Sequence, residues 1–248
     1  MVDTGYNVLG AVAREKIDFY KKNKAAYFIS AILAGFYIGI CISAILVIAG
    51  MLNDFAGLKI LQSVSFAAAL SIIVFADAEL FTGNIFIITA GIMLKTIKPG
   101  EAAGISIFCY AGNLAGSVLT ALLFWGTGYL ENGVLTAAAD AIDLKTAPLF
   151  GELLVRGILC NILVCVAVWC SFRIKRESGK LIIIFWAVYL FMVCGFEHSI
   201  ANITLFSLGT IANIHSVGLM LINLAATTMG NILGGVMLSL AYWTISRK

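Results

Sequence analysis

The chain has 248 residues, of which 61% are hydrophobic and 12% charged, with a mean hydropathy of +1.02. A surface of that composition cannot be wetted, which excludes a water-soluble domain and marks an integral membrane protein. The formal net charge of +3 comes from basic residues flanking apolar runs, so it reports membrane orientation and gives no sign of a nucleic-acid partner.

Residues 1–24 form an amphipathic, basic lead-in, with Val8, Leu9, Val12, Ile17 and Phe19 set among charges. They lack an apolar core followed by a small-residue cleavage site, so the expectation is a helix at the cytoplasmic membrane interface and no cleaved signal peptide. Apolar runs long enough to cross a bilayer of roughly 30 Å follow at about 25–49, 61–93, 104–129, 149–172, 181–208 and 217–245. Polar residues interrupt the second near 76–83 and the fifth near 195–201. The predicted fold class is an all-α membrane protein of six transmembrane helices, the second and fifth broken, in a single channel domain over 1–248.

Basic residues set the orientation. Thirteen of the sixteen Lys and Arg fall before the first span, after the second, after the fourth or at the C-terminus, leaving Lys59, Lys145 and Arg156 toward the other side. By the positive-inside rule both termini are cytoplasmic, in a multi-pass protein of the cell (inner) membrane in contact with its lipid. Asp54, Glu131, Asp140, Asp143 and Glu152 stand on the opposite side. Glu152 and Arg156, four apart on one helix, are expected to pair with each other away from the pathway. His215, at the start of the sixth span, reads as incidental.

The interruptions resemble each other. Glu79 and Asn84 in the first lie 118 residues before Glu197 and Asn202 in the second, since 197 − 79 and 202 − 84 agree. The same offset relates Gly112-Asn113 to Gly230-Asn231, Gly116 to Gly234, and Gly39-Ile40 to Gly157-Ile158. Two related halves follow, about 1–125 and 126–248. Three crossings per half is an odd number, so the halves form an inverted 3+3 repeat, an arrangement that places broken helices around a midplane site.

Exposed backbone cannot face lipid, so each break must be buried by protein or line a cavity. The new half-helices are expected to start near Asn84 and Asn202 and to face one another, each N-terminus adding partial positive charge. His198, an ionisable ring inside the second break, is the first pore candidate, against the alternative that it ties the broken backbone together. Glu79 and Glu197 read as loop braces accepting hydrogen bonds from backbone amides, with a catalytic dyad as the alternative. Asn113, Asn231 and Asn161 are glue between helices by default, and Asn161 and Asn231 are also candidates to point donors into the lumen. Cys41, Cys109, Cys160, Cys165, Cys170 and Cys194 match no metal or redox spacing and read as packing residues.

With those residues placed, the run Gly195-Phe196-Glu197-His198-Ser199-Ile200-Ala201-Asn202, the run from Gly157 to Ala167 and the Leu80-Phe81-Thr82 loop resemble the formate/nitrite transporter family over all six helices. The resemblance implies an aquaporin-like protomer with its own pore, assembled as a homopentamer, without cofactor or metal. It implies an apolar constriction of Leu80 with Phe191 toward the cytoplasm or midplane, and Phe66 and Leu70 as the ring on the other half-helix. Phe81 stands in the pore loop, Thr82 bonds to His198, Asn161 and Asn231 line the lumen, and Lys145 draws anions into the outer vestibule. Asp77 stands where the family has glycine, and the segment between the fifth break and the sixth span is short. Both point away from formate, and the short segment and the overall run resemble the hydrosulfide-channel branch.

The expected function is a channel or transporter for small monovalent anions, hydrosulfide first, then formate and nitrite. Passing an ion through apolar rings strips its hydration, and transient protonation lowers that barrier most for the strongest base, hydrosulfide. A neutral-solute or water channel is the alternative, which Lys145 and His198 disfavour. An intramembrane enzyme using Glu197 and His198 as acid and base lacks a nucleophile, an orienting residue and a metal cluster.

Overall fold

The computed structural model describes residues 5–214 and 216–247, the side chain of Asn132 excepted; His215 lies outside them. Among the described residues the chain is helical throughout, in the order α1 (Asn7–Lys22), α2 (Lys24–Met51), α3 (Leu58–Phe66), α4 (Ala68–Phe75), α5 (Phe81–Met93), α6 (Pro99–Gly126), α7 (Asn132–Thr146), α8 (Phe150–Arg173), α9 (Glu177–Val193), α10 (Ser199–Ile211) and α11 (Val217–Ser246). Helices α2, α6, α8 and α11 run 24 to 30 residues, which is long enough for a helix to cross a bilayer. The second and fifth crossings are assembled from pieces: α3 and α4, joined at Ala67, lead into a break and α5, and α9 leads into a break and α10. The protein is a multi-pass membrane protein of six helices in an inverted 3+3 repeat with an aquaporin-like protomer.

Helices α2 and α6, and their counterparts α8 and α11, approach until backbones touch. A Cβ on Gly116 would lie 2.0 Å from the Ile32 carbonyl oxygen, and one on Gly234 would lie 2.4 Å from that of Ile158. Only glycine permits such contact, which in lipid supplies the dispersion that holds helices together.

The hydrogen bonds show a finer register than the ungapped offset. Glu79 N–H donates to the Ser30 carbonyl and Glu197 N–H to the Arg156 carbonyl, at 3.4 and 3.3 Å. The Asn113 amide donates to the Ala31 carbonyl and the Asn231 amide to that of Gly157, at 2.7 and 2.9 Å. The first crossing of each half therefore matches at 126 residues (156 − 30, 157 − 31), while the breaks and the helices after them match at 118. The pairing of Gly39 with Gly157 is corrected accordingly: Gly157 abuts Gly230 as Ala31 abuts Gly112, whereas Gly39 meets the Thr120 side chain.

Two helices outside the crossings complete the halves. The lead-in helix α1 is docked against the protein, with Leu9, Gly10, Ala13 and Ile17 buried and the Tyr6 hydroxyl donating to the Ser239 carbonyl at 3.0 Å. The start of α1 and the C-terminal part of α11 thus share one face, called here the N-terminal face. Helix α7 arises in a stretch that hydropathy left as a connection, and packs its Gly133 backbone on Gly50 at the opposite face. It owes its order to that packing and to buried Ala138 and Ile142, which a hydropathy window of transmembrane length averages away.

Candidate functional site

Each break begins with the same helix stop. At the end of α4, Asp77 has φ 51° and Ala78 N–H bonds back to the Ile73 carbonyl; at the end of α9, Gly195 has φ 69° and Phe196 N–H bonds back to that of Phe191. This is the left-handed Schellman termination that favours glycine, the residue the resemblance leads one to expect where Asp77 stands. Aspartate tolerates the conformation better than most residues. Gly195→Ala should lower stability by roughly 1–2 kcal/mol through backbone strain, because a Cβ there has room, its nearest neighbour being Lys59 Nζ at 3.9 Å. Asp77→Gly should raise it. Thermal unfolding in detergent checks both signs.

After the stop the chain doubles back and α5 and α10 start with their N-termini facing one another, as the repeat requires. Their caps are Leu80 and His198, one turn earlier than Asn84 and Asn202. Asn113 Oδ1 accepts the Phe81 N–H at 2.8 Å, and Asn231 Oδ1 accepts the Ser199 N–H at 2.9 Å. The same two side chains donate to the Glu79 and Glu197 carbonyls at 2.8 and 2.9 Å. Each asparagine therefore holds its break by both ends.

Glu79 and Glu197 are buried and serve as braces, but through side-chain donors, because the asparagines have taken the break amides. Glu197 Oε2 accepts Lys145 Nζ at 2.9 Å and Asn202 Nδ2 at 2.6 Å. Asn202 also donates to Asn223, whose amide donates to the Lys145 carbonyl. In the other half Glu79 accepts Lys16 Nζ at 2.7 Å, Asn84 Nδ2 at 2.6 Å and the Tyr27 hydroxyl at 3.2 Å. Lys16 is thus the counterpart of Lys145, and sequence reasoning missed it. Its separation from Lys145 (145 − 16) matches neither repeat offset. No signal in the sequence singles Lys16 out, because the same helix also carries Lys21 and Lys22, whereas α7 carries Lys145 alone.

The axis through the breaks is a chain of three cavities. On the N-terminal face a cavity of about 350 Å³ is walled in part by Glu15, Lys16, Asp77 and Lys180, and ends on Leu70, Ile73 and Leu80. Those three also bound a central space of about 10 Å³ whose other walls include Phe66, Phe191 and His198. Phe191 and His198 in turn floor a cavity of about 340 Å³ on the α7 face, which carries Lys59, Lys145, Arg156 and Glu197. The central space barely admits one water, so an ion entering it sheds most of its hydration.

This geometry redistributes the expected ring residues. Leu80 pairs with Leu70 on the N-terminal side, while Phe191 belongs with Phe66, edge to face at 6.2 Å between ring centres, on the α7 side. Phe81 turns away from the axis onto Tyr110 at 4.9 Å. Asn161 and Asn231 do not present donors to the lumen. Asn161 Nδ2 donates to the Thr82 and Asn231 carbonyls, and Asn231 is consumed by the second break. Arg156 also departs from expectation: Glu152 caps α8 by accepting the Leu149 N–H at 2.9 Å, so no ion pair joins it to Arg156, which faces the vestibule.

His198 is the one titratable side chain bounding the central space among the described residues. Its Nδ1 accepts the Ala201 N–H at 3.3 Å, so the ring proton resides on Nε2, which faces Thr82 Oγ1 at 3.1 Å. Phe191 stacks on the ring at 6.0 Å and 19°. His198 is therefore both the cap of α10 and a wall of the central space.

Fold and site together define a membrane channel or transporter with a narrow, largely apolar centre between two wider mouths. The chain belongs to the formate/nitrite transporter family, whose sequence model matches residues 6–244. It is 37% identical over 234 residues to the nitrite transporter NirC of Escherichia coli (strain K12), covering 91% of this chain and 85% of that one. A solved FNT family ion channel superposes with a TM-score of 0.91 at 32% identity over 99% of each chain. A pentameric formate channel with formate bound gives 0.79 at 26% identity, over 92% of this chain and 99% of that one.

Proposed function

We propose that the protein is a pore for small monovalent anions, hydrosulfide first, with nitrite and formate next, in which His198 meets the anion between the two apolar rings. The observation that carries the reading is the placement of one proton-bearing ring in a space too narrow for a hydrated ion, where the N-termini of α5 and α10 converge. Their partial positive charges favour an anion over a cation. A proton reaching the anion there removes the charge that the Leu and Phe rings oppose, and hydrosulfide takes it most readily. The nitrite and formate named for the relatives share its size and charge. Lys145, on the α7 face, draws the anion into the vestibule there.

The excess of Lys and Arg on the N-terminal face supports placing it, with both termini, in the cytoplasm of the cell (inner) membrane. The pentamer named for the solved formate channel, and the apolar flank of α6 exposed at Leu119, Leu122, Leu123 and Trp125, support a homopentamer.

Proteoliposomes holding the protein should take up hydrosulfide, nitrite or formate, and faster from an acidic bath. His198→Phe, which keeps the stack on Phe191, should reduce uptake at least tenfold, the equivalent of about 1.4 kcal/mol or more in barrier. Purified protein that conducts none of the three overturns the reading.

A further inference from the structure

The two mouths of the pore differ in charge. On the α7 face, Lys59, Lys145 and Arg156 line the vestibule against one acid, Glu197. Glu197 is bound to Lys145. Lys59 and Arg156 make no ion pair among the described residues, and Lys59 Nζ lies 3.9 Å from the Cβ position of Gly195, directly over the second break. Asp54, Glu131, Asp140, Asp143 and Glu152 belong to the same face, yet none of them lines this cavity.

The vestibule on the N-terminal face is balanced, Glu15 and Asp77 against Lys16 and Lys180. Its lysines are ion-paired, Lys16 with Glu79 and Lys180 with Glu177. Glu15 and Asp77 line it with no ion pair among the described residues. The α7 lining therefore carries an excess of two positive charges, three cations against one acid, while the N-terminal lining carries none, two against two.

We infer that Lys59 and Arg156 form an anion-capture site at the α7 mouth, beside the Lys145–Glu197 pair, and that this positive excess, set against the balanced opposite mouth, makes the pore load anions more readily from the α7 face. The inference rests on the anion-pore reading. A cleft lined by one sign of charge raises the local concentration of counter-ions by roughly tenfold or more at low ionic strength. The balanced lining of the other mouth supplies no such enrichment. The gradient of fixed charge acts on entry, while the central barrier sets the maximal rate.

The test uses the full chain in vesicles of defined orientation, with nitrite added to one side at a time. At low ionic strength the half-saturating nitrite concentration should be about tenfold lower from the α7 face than from the N-terminal face. The difference should vanish near 1 M salt, where screening acts within about 3 Å. Lys59→Gln with Arg156→Gln should raise half-saturation about tenfold from the α7 face alone, with the maximal rate kept. Glu15→Gln with Asp77→Asn should lower it from the N-terminal face alone, an independent arm if the first variant folds poorly. Wild-type half-saturation equal from both faces overturns the inference, as does a folded Lys59/Arg156 variant that loads like wild type. A wild-type protein that moves nitrite, formate and hydrosulfide from neither face overturns the anion-pore reading itself.

Discussion

Glu197→Leu should destabilise the protein by roughly 3–5 kcal/mol, the range for removing one partner of a buried ion pair. The Glu197 side chain is 3% exposed and the Lys145 side chain 26%. Its Oε2 receives the Lys145 ammonium at 2.9 Å and the Asn202 amide at 2.6 Å. Leucine fills the space but accepts nothing, leaving the buried Asn202 amide without its acceptor and the Lys145 ammonium, at the edge of the vestibule, without its counter-ion. The damage spreads because Asn202 is tied through Asn223 to the Lys145 carbonyl, so α7 loses its anchor to α10. Glu197→Gln keeps an acceptor for both donors and should lose well under half as much. Lys145→Met added to Glu197→Leu should recover part of the loss, since it removes the stranded charge. Thermal unfolding of the three variants in detergent, followed by tryptophan fluorescence, checks the order. A Glu197→Leu protein as stable as wild type would show that the pair braces nothing.

The breaks were legible in the sequence because only residues with polar work to do interrupt a membrane-spanning apolar run. The pairs Glu79 with Asn84 and Glu197 with Asn202 announced both the breaks and their kinship, and the inverted architecture followed from counting crossings. Finer points escaped for physical reasons. Asparagine is a common helix cap, which suggested that Asn84 and Asn202 begin α5 and α10. Each instead lies inside the first turn and donates to the carboxylate five residues earlier, and the cap passes to Leu80 and His198. The roles of Asn113 and Asn231 follow from which free amides stand near them, a tertiary fact that periodicity does not carry. Helix α7 and the docking of α1 were hidden because short amphipathic helices blur under long hydropathy windows. With them went Lys16, whose meaning depends on the glutamate it reaches across 63 residues. The orientation of Phe81 toward Tyr110 follows from its place in the first turn of α5, which the resemblance alone treated as open loop.

Phe191→Ala combined with Leu80→Ala should raise anion flux by well over tenfold and abolish its dependence on pH, whereas each single change should do much less. The rings stand in series. Leu80, with Leu70 and Ile73, separates the central space from the cavity of about 350 Å³, and Phe191, stacked on His198, separates it from the cavity of about 340 Å³. Flux through serial barriers is governed by the higher one, so lowering either alone leaves the other in control. Removing both joins the three spaces into one wet passage in which an ion keeps its water. Every ~1.4 kcal/mol of dehydration then avoided is worth about tenfold in rate. A proton from His198 no longer matters once the charge can cross hydrated, and the pH dependence disappears with the barrier. Truncating buried Phe191 also costs about 3–5 kcal/mol of stability, so Phe191→Val provides a gentler opening. Flux should be measured on folded protein at pH 6 and pH 7.5. A folded double variant whose flux and pH response match the wild type would place the barrier away from these rings and dissolve the link between dewetting and the histidine proton.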